Sequence, residues 1–381
     1  MPRLLWVVLA GFAAARLWAQ PPPEVIIRNN DRNGDGKLSR EEFPPPGLPL
    51  FDRIDADRDG FVTLQEAQTF AQQRQRQGPG GPPPLPTPDY ENVPYGPHER
   101  NVLDLWLAKS DAPTPLVIYY HGGGFRSGDK RTIQPQLLAG LLQAGISVAA
   151  ANYRLTDTAP YPAQMHDSAR ALQFVRLHAA EYNLDPTRVG ATGGSAGAGI
   201  SQWLLFHDDL ADAVNDDPVL RQSTRVTCAV VYAAQTSYDP RFQAQLFGTN
   251  QVEPAELALF GMAGPGDVND PRFWPLFEDA SPINHVTADD GPVFLFYPQA
   301  NDPLPLNPPG NLFIHHPRFG IVLKEKLDAL GVECIVRLPE DYPQAPSRPP
   351  VEEYLRFFRD KLGVGDREPQ AGMRRGLAGP A

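Results

Sequence analysis

From residue 114 onward, short apolar runs recur along the chain with longer amphipathic stretches between them. The runs at 116–120, 146–151, 189–192, 226–232, 292–297 and 334–338 are continuous rather than alternating. That is the pattern of strands buried on both faces of a sheet. Between several of them, segments such as 164–182 and 318–330 place apolar residues at helical spacing. Strand and helix in alternation predict an α/β fold, a mostly parallel sheet flanked by helices. The stretch 236–290, after the 226–232 run, interrupts the alternation. It carries Phe242, Phe247, Phe260, Phe273, Trp274 and Phe277 with no clear period. These rings either line an apolar cleft under a lid or pack as a satellite core.

Ahead of the sheet region the pattern changes twice. Residues 22–76 are charged and punctuated by glycine, and 77–89 are dominated by glycine and proline, the composition of a linker. Two units are expected, at 22–76 and 90–363, followed by a polar, disordered tail over 364–381. At the start, Arg3 precedes an apolar run over 4–15, which closes on small residues before Gln20 and three prolines. This is the layout of a signal peptide over 1–19, and it predicts a secreted or periplasmic protein. The alternative, a membrane anchor, is disfavoured because the run is shorter than the ~20 residues a bilayer span needs. No stable membrane span is expected once the signal is removed.

Composition narrows the function. The 381 residues carry a formal charge of −11, so the basic surface that nucleic-acid binding requires is not expected. Cys228 and Cys334 fall in the 226–232 and 334–338 runs, with the 292–297 run between them. An intervening strand would hold them about 10 Å apart, beyond disulfide reach, so two buried thiols are expected.

In the first unit, Asp31, Asn33, Asp35, Gly36, Ser39 and Glu42 occupy positions 1, 3, 5, 6, 9 and 12 of a loop. Asp55, Asp57, Asp59, Gly60, Thr63 and Glu66 repeat the set. Calcium takes six to eight oxygens, so alternate side chains turn inward, a glycine makes the sharp bend and a final glutamate gives two oxygens. The carbonyls of Lys37 and Phe61 supply position 7, and Leu38 and Val62 at position 8 pair the loops. Both loops resemble EF-hands, implying two bound Ca2+ ions with no catalytic part. Pro44 to Pro46 cut the first exit helix short, which favours a structural module over a switch.

In the second unit, Gly193, Gly194, Ser195, Ala196 and Gly197 form G-x-S-x-G between an expected strand and an expected helix. A serine on such a turn stands exposed above the sheet as a nucleophile, and the adjoining helix N-terminus favours negative charge. His121, Gly122, Gly123 and Gly124 follow another strand. Their backbone N–H groups, with that of Ala196, are placed to bind an oxyanion. His121 itself reads as a structural residue of the loop.

With Asn152, Tyr153 and Arg154, then Tyr161, Pro162, Ala163 and Asp167, and with 185–189 before the serine turn, these motifs make 90–363 resemble a known group. It is similar to the esterases of the α/β-hydrolase superfamily, in particular the hormone-sensitive-lipase and carbohydrate-esterase-like groups. The resemblance implies a carboxylic-ester hydrolase with its catalytic acid after the seventh strand, where Asp302 stands. The histidine of the pattern belongs after the eighth strand, but 338–347 contains none, and His316 is the last in the chain. His315 and His316, ahead of the 318–330 helix, sit where a relocated base could reach Ser195; otherwise they cap the helix or contact substrate. His166, His178 and His207 read as packing or surface residues, and His98 and His285 are unassigned. The implied substrates are small or polysaccharide-linked esters. The alternative is a catalytically silent, calcium-binding extracellular module that has lost its base.

Overall fold

The computed structural model describes residues 23–43, 51–55, 59–77, 85–305, 308, 310–343 and 350–365. The expected signal segment, Pro44 to Pro46, Asp57, most of the linker and nearly all of the tail lie outside the described residues. Internal contacts divide the chain into two units between Pro84 and Leu85.

In the first unit, helices Pro23–Asn30 and Leu64–Gln77 accompany two three-residue strands, Lys37–Ser39 and Phe61–Thr63. The strands pair antiparallel with Leu38 opposite Val62, both fully buried. Position 8 of each loop thus closes the pair, over a small core of Ile26, Ile27, Phe43, Phe51, Ile54, Ala67 and Phe70.

The second unit is built on an eight-stranded sheet. Its strands are β1 (Tyr90–Pro94), β2 (Val102–Trp106), β3 (Thr114–Tyr120), β4 (Ser147–Ala151), β5 (Leu184–Gly194), β6 (Cys228–Tyr232), β7 (Val293–Phe296) and β8 (Cys334–Arg337). The spatial order is β8-β7-β6-β5-β3-β4-β2-β1; β2 pairs antiparallel with both β1 and β4, and every other pairing is parallel. This is the α/β-hydrolase fold. Burial explains the sequence pattern: β4 is buried along its whole length, and β3 at all but one position. The helices are α1 (Pro135–Gln143), α2 (Ala163–Leu177), α3 (Ala196–Phe206), α4 (Pro240–Phe247), α5 (Pro254–Phe260), α6 (Trp274–Ala280), α7 (Gly310–Ile314), α8 (Arg318–Leu330) and α9 (Val351–Lys361).

Three details differ from the sequence pattern. Strands β1 and β2, at one side of the sheet, have a mixed composition that gave no continuous run. Helix α2 stops at Leu177 rather than 182, where the chain turns to enter β5. The aperiodic stretch 236–290 contains α4, α5 and α6, each two turns or so long. Cys228 and Cys334 are buried free thiols on β6 and β8, with β7 between them.

Candidate active site

All the parallel strands run to one edge, where open α/β sheets bind ligands. At that edge β5 passes into α3 through Ser195, which adopts φ 52°, ψ −119°. This is a strained conformation for a residue with a side chain. The flanking glycines permit it by close approach. A Cβ on Gly193 would lie 2.5 Å from the Tyr120 carbonyl oxygen, and one on Gly197 only 2.0 Å from the same atom. The Ser195 N–H donates to the Tyr232 carbonyl at 3.0 Å, tying the turn to β6.

The loop after β3 lies against this turn. A Cβ on Gly122 would meet the Gly194 carbonyl oxygen at 2.8 Å and Ser195 Cβ at 3.5 Å. Gly123 and Gly124 have φ of 109° and 59°. Ala196 opens α3, so its N–H has no intrahelical acceptor. Behind the loop, His121 is fully buried and stacked on Tyr153, with ring centroids 4.3 Å apart. Arg100 can only donate, so its contact at 3.2 Å makes Nε2 of His121 the acceptor. The proton is therefore on Nδ1, which donates to the Gly122 carbonyl at 2.8 Å. Burial, reinforced by the Arg100 charge, pushes the His121 pKa down to about 4. The Tyr153 hydroxyl donates to the His121 carbonyl at 2.7 Å. Asn152 receives the Lys130 N–H at 2.7 Å and donates to Asp129 at 2.9 Å. Arg154 grips Asp167 of α2 through its backbone N–H and two guanidinium nitrogens at 2.7 to 2.9 Å. The Asn-Tyr-Arg triplet is thus the brace of the glycine loop.

Opposite the loop, Nε2 of His315 lies 2.9 Å from Ser195 Oγ. His315 directly follows α7. His316 does different work. Its Nε2 donates to the Asp302 carbonyl at 2.8 Å, its Nδ1 accepts the Arg318 N–H at 3.1 Å, and Phe247 meets its ring edge-on. Its nitrogens thus serve two backbone groups, one in the segment after β7 and one at the start of α8. The Asp302 side chain is exposed, and its backbone carbonyl is the group that meets His316. The structure therefore brings Ser195, His315, Gly122, Gly123, Gly124 and Ala196 together. The ring nitrogens of His316 are taken by backbone groups instead.

A cleft of about 390 Å³ opens at Ser195, lined by Gly123, Gly124 and Phe125 on one side and by Gln235, Tyr238, Ala255, Leu259 and Ile314 on the others. None of the six aromatic residues from 236–290 lines it. Phe260 and Phe277 are buried in the main core, with Phe242, Phe247 and Phe273 packed against it. The stretch instead contributes Glu256, which no sequence pattern singled out. Glu256 is buried in the cleft wall, taking hydrogen bonds from Gln243 at 2.5 Å and Gln235 at 3.3 Å on one oxygen and from the Glu253 N–H on the other. Burial raises its pKa to about 7, with the donors opposing the shift. Its only sequence signal is the Glu253 and Glu256 spacing of a capping box at α5.

In the first unit the loop carboxylates turn inward. Asp31 accepts the Gly34 and Gly36 N–H groups at 2.7 and 2.8 Å, Asp35 that of Lys37 at 3.0 Å, and Glu42 the Ser39 N–H and hydroxyl at 3.0 and 2.8 Å. Asn33 bonds to Asp35. The second loop repeats this, with Asp55 accepting from Gly60, Asp59 from Phe61, and Glu66 from Thr63. Gly36 and Gly60 have φ of 80° and 86°, the left-handed bend that position 6 requires. Convergent side-chain oxygens suit a hard cation, and the donor set fits Ca2+.

Residues 103–309 match the BD-FAE family, more than half of the chain. The chain belongs to the BD-FAE family. The match takes in Ser195, the glycine loop and Asp302 and ends before His315. Residues 30–43 and 49–71 match the EF hand. Among curated relatives, Esterase LipQ of Mycobacterium tuberculosis is 29% identical over 218 residues, 56% of this chain and 49% of that protein. Carboxylesterase NlhH of the same organism is 44% identical over 108 residues, 28% of this chain and 33% of that protein. The chain therefore spans about half the length, or less, of these curated relatives. An acetyl ester-xyloside bifunctional hydrolase from Caldicellulosiruptor lactoaceticus has 25% identity and a TM-score of 0.52 over 74% of this chain and 96% of that one. A carbohydrate esterase from gut microbiota, 24% identical, shares the fold with a TM-score of 0.55 over 72% of this chain and 96% of that one.

Proposed function

We propose that this BD-FAE family member is a secreted carboxylic-ester hydrolase with Ser195 as nucleophile and His315 as base. The observation that carries the reading is the 2.9 Å contact from His315 Nε2 to Ser195 Oγ. A serine hydroxyl needs a base within hydrogen-bond reach, and the distance lies within the productive range. Ser195 Oγ attacks the acyl carbon as His315 takes its proton. The carbonyl oxygen, now negative, meets the N–H groups of the glycine loop and Ala196. Collapse expels the alcohol, which receives the proton from His315, and leaves an acyl-serine. Water, deprotonated by His315, then attacks the acyl carbon; collapse expels Ser195 Oγ, which takes that proton back from His315, and the carboxylic acid leaves. The same contact weighs against a catalytically silent module, since the base missing after β8 has a substitute after α7.

Acyl groups on polysaccharides, or other small extracellular esters, suit the cleft volume and are the proposed substrates. The signal-like start supports export. Two Ca2+ ions, held by Asp31, Asn33, Asp35, Lys37, Ser39 and Glu42 and by Asp55, Asp57, Asp59, Phe61, Thr63 and Glu66, would serve structure rather than chemistry.

The deciding experiment is hydrolysis of p-nitrophenyl acetate by wild type and single variants. Ser195→Ala and His315→Ala should each lower kcat by about 10⁴-fold or more. His316→Ala should act mainly on stability, because backbone groups hold both of its nitrogens, and Asp302→Asn should lower kcat if Asp302 is the acid that orients His315. Full activity in His315→Ala would overturn the assignment of the base. Equal inactivity of wild type and Ser195→Ala toward short and longer acyl esters would overturn the enzyme reading.

A further inference from the structure

At the far end of α3 from Ser195, three ligand-bearing side chains from separate segments converge. They are His207, which caps α3, Asp279 of α6, and His285 in the turn before β7. One ligand atom from each lies within 4.8 Å of the other two. His207 is twelve residues along the helix from the nucleophile, about 18 Å at 1.5 Å per residue, so the cluster is separate from the cleft. The two imidazoles sit with centroids 4.4 Å apart, and Nε2 of His207 lies 3.2 Å from Asp279 Oδ1.

Each of these side chains is fixed from behind. His207 donates from Nδ1 to the Asp208 carbonyl at 2.9 Å, which turns Nε2 toward the cluster, where without an ion it donates to Asp279 and an ion would take that proton's place; its ring is stacked on Trp203. The other carboxylate oxygen of Asp279 accepts the Tyr161 hydroxyl. The Asp279 carbonyl accepts the Trp203 indole N–H at 2.9 Å and Nε2 of His285 at 2.8 Å. A ligating imidazole whose second nitrogen donates to a carbonyl, beside a carboxylate that is itself hydrogen-bonded, is the support that protein metal sites use. The side chain of His207 is 14% exposed and that of Asp279 46%, so an ion can enter from solvent and keep water on its open positions.

We propose that His207, Asp279 and His285 form a binding site for a borderline divalent transition ion of the Zn2+ class. Two imidazoles and one carboxylate are a common three-residue zinc set, and the mixed nitrogen and oxygen donors separate this site from the all-oxygen EF loops. Tetrahedral bonds of about 2.0 to 2.1 Å place ligand atoms roughly 3.4 Å apart, so the ion needs only a modest contraction of the cluster. The site does not depend on the esterase reading.

The test is titration of the purified full chain with Co2+, with the EF loops first saturated with Ca2+. The visible d–d absorption of a low-symmetry nitrogen-ligated ion should rise to one equivalent per chain and be displaced by Zn2+. His207→Ala and His285→Gln should each weaken binding by about tenfold or more, while His178→Ala, which removes a surface imidazole paired with Glu181, should leave it unchanged. Circular dichroism checks that each variant is folded. If His207→Ala fails to fold, His285→Gln alone decides. Absence of a stoichiometric Co2+ band in the wild type, or an unchanged band in a folded His285→Gln variant, would overturn the proposal.

Discussion

Ser195 occupies a region of backbone space that costs of order 1–3 kcal/mol and persists only where the surroundings over-determine it. Here the determinants are Gly193 and Gly197, pressed against Tyr120, and the bond from the Ser195 N–H to Tyr232. Sequence showed the serine and its glycines plainly, because the turn can be built in few other ways. It also narrowed the base to two adjacent histidines, but could not choose between them. What separates His315 from His316 is that the Asp302 carbonyl and the Arg318 N–H claim both nitrogens of the second. Glu256 was invisible for a related reason, since only the packed fold reveals that it is buried. Its pKa of about 7 exceeds the ordinary glutamate value of 4.5, so the folded chain holds a proton that the unfolded chain releases. Stability from this group is full below about pH 4.5 and falls as pH rises through about 7, by on the order of 3 kcal/mol at most. Glu256→Gln should flatten that slope, read from urea unfolding at pH 5 and pH 8.

Among the elements, β3 to β8 were legible because burial on both faces leaves a continuous apolar run. The helices between 236 and 290 were not, because two turns carry too little periodicity to register. Their ends are nonetheless written in the sequence. Asp239 caps α4 with Pro240 at its first position and Gly248 in the left-handed conformation at its end, and α5 repeats the arrangement with Glu253, Pro254 and Gly261. Reading terminators before periods would have found both helices. Strand β2 shows a different tension. Its Asp104 is paired with Lys130, beyond the glycine loop, at 3.0 Å, and the two side chains are only 1% and 3% exposed. Lys130 also donates to Asn92 of β1 at 2.8 Å. Removing one member leaves a buried charge without its counterion, so Asp104→Asn should destabilise by about 3–5 kcal/mol in urea unfolding. Asp104→Leu combined with Lys130→Met should recover much of that loss.

For the whole molecule, the division at Pro84 means that each unit closes its own core. The first is small: a two-stranded pair and a handful of buried side chains, below the size at which apolar burial alone holds a fold. Calcium removal is therefore expected to act on one unit. Calorimetry with a chelator should show loss of the low-temperature transition, while the hydrolase transition moves by less than about 2 °C and turnover of p-nitrophenyl acetate persists. A common downward shift of both transitions would show that the units melt as one.

The sheet order puts β7 between the two cysteines of the chain, and burial raises both thiol pKa values, that of Cys334 to about 12. Neither sulfur is a ready thiolate, and neither can reach the other without taking the sheet apart. Assembly of this fold is thus indifferent to the redox state of its surroundings. The same native chain should be recovered from a reducing cytosol as from an oxidising compartment, with no oxidase or isomerase to wait for.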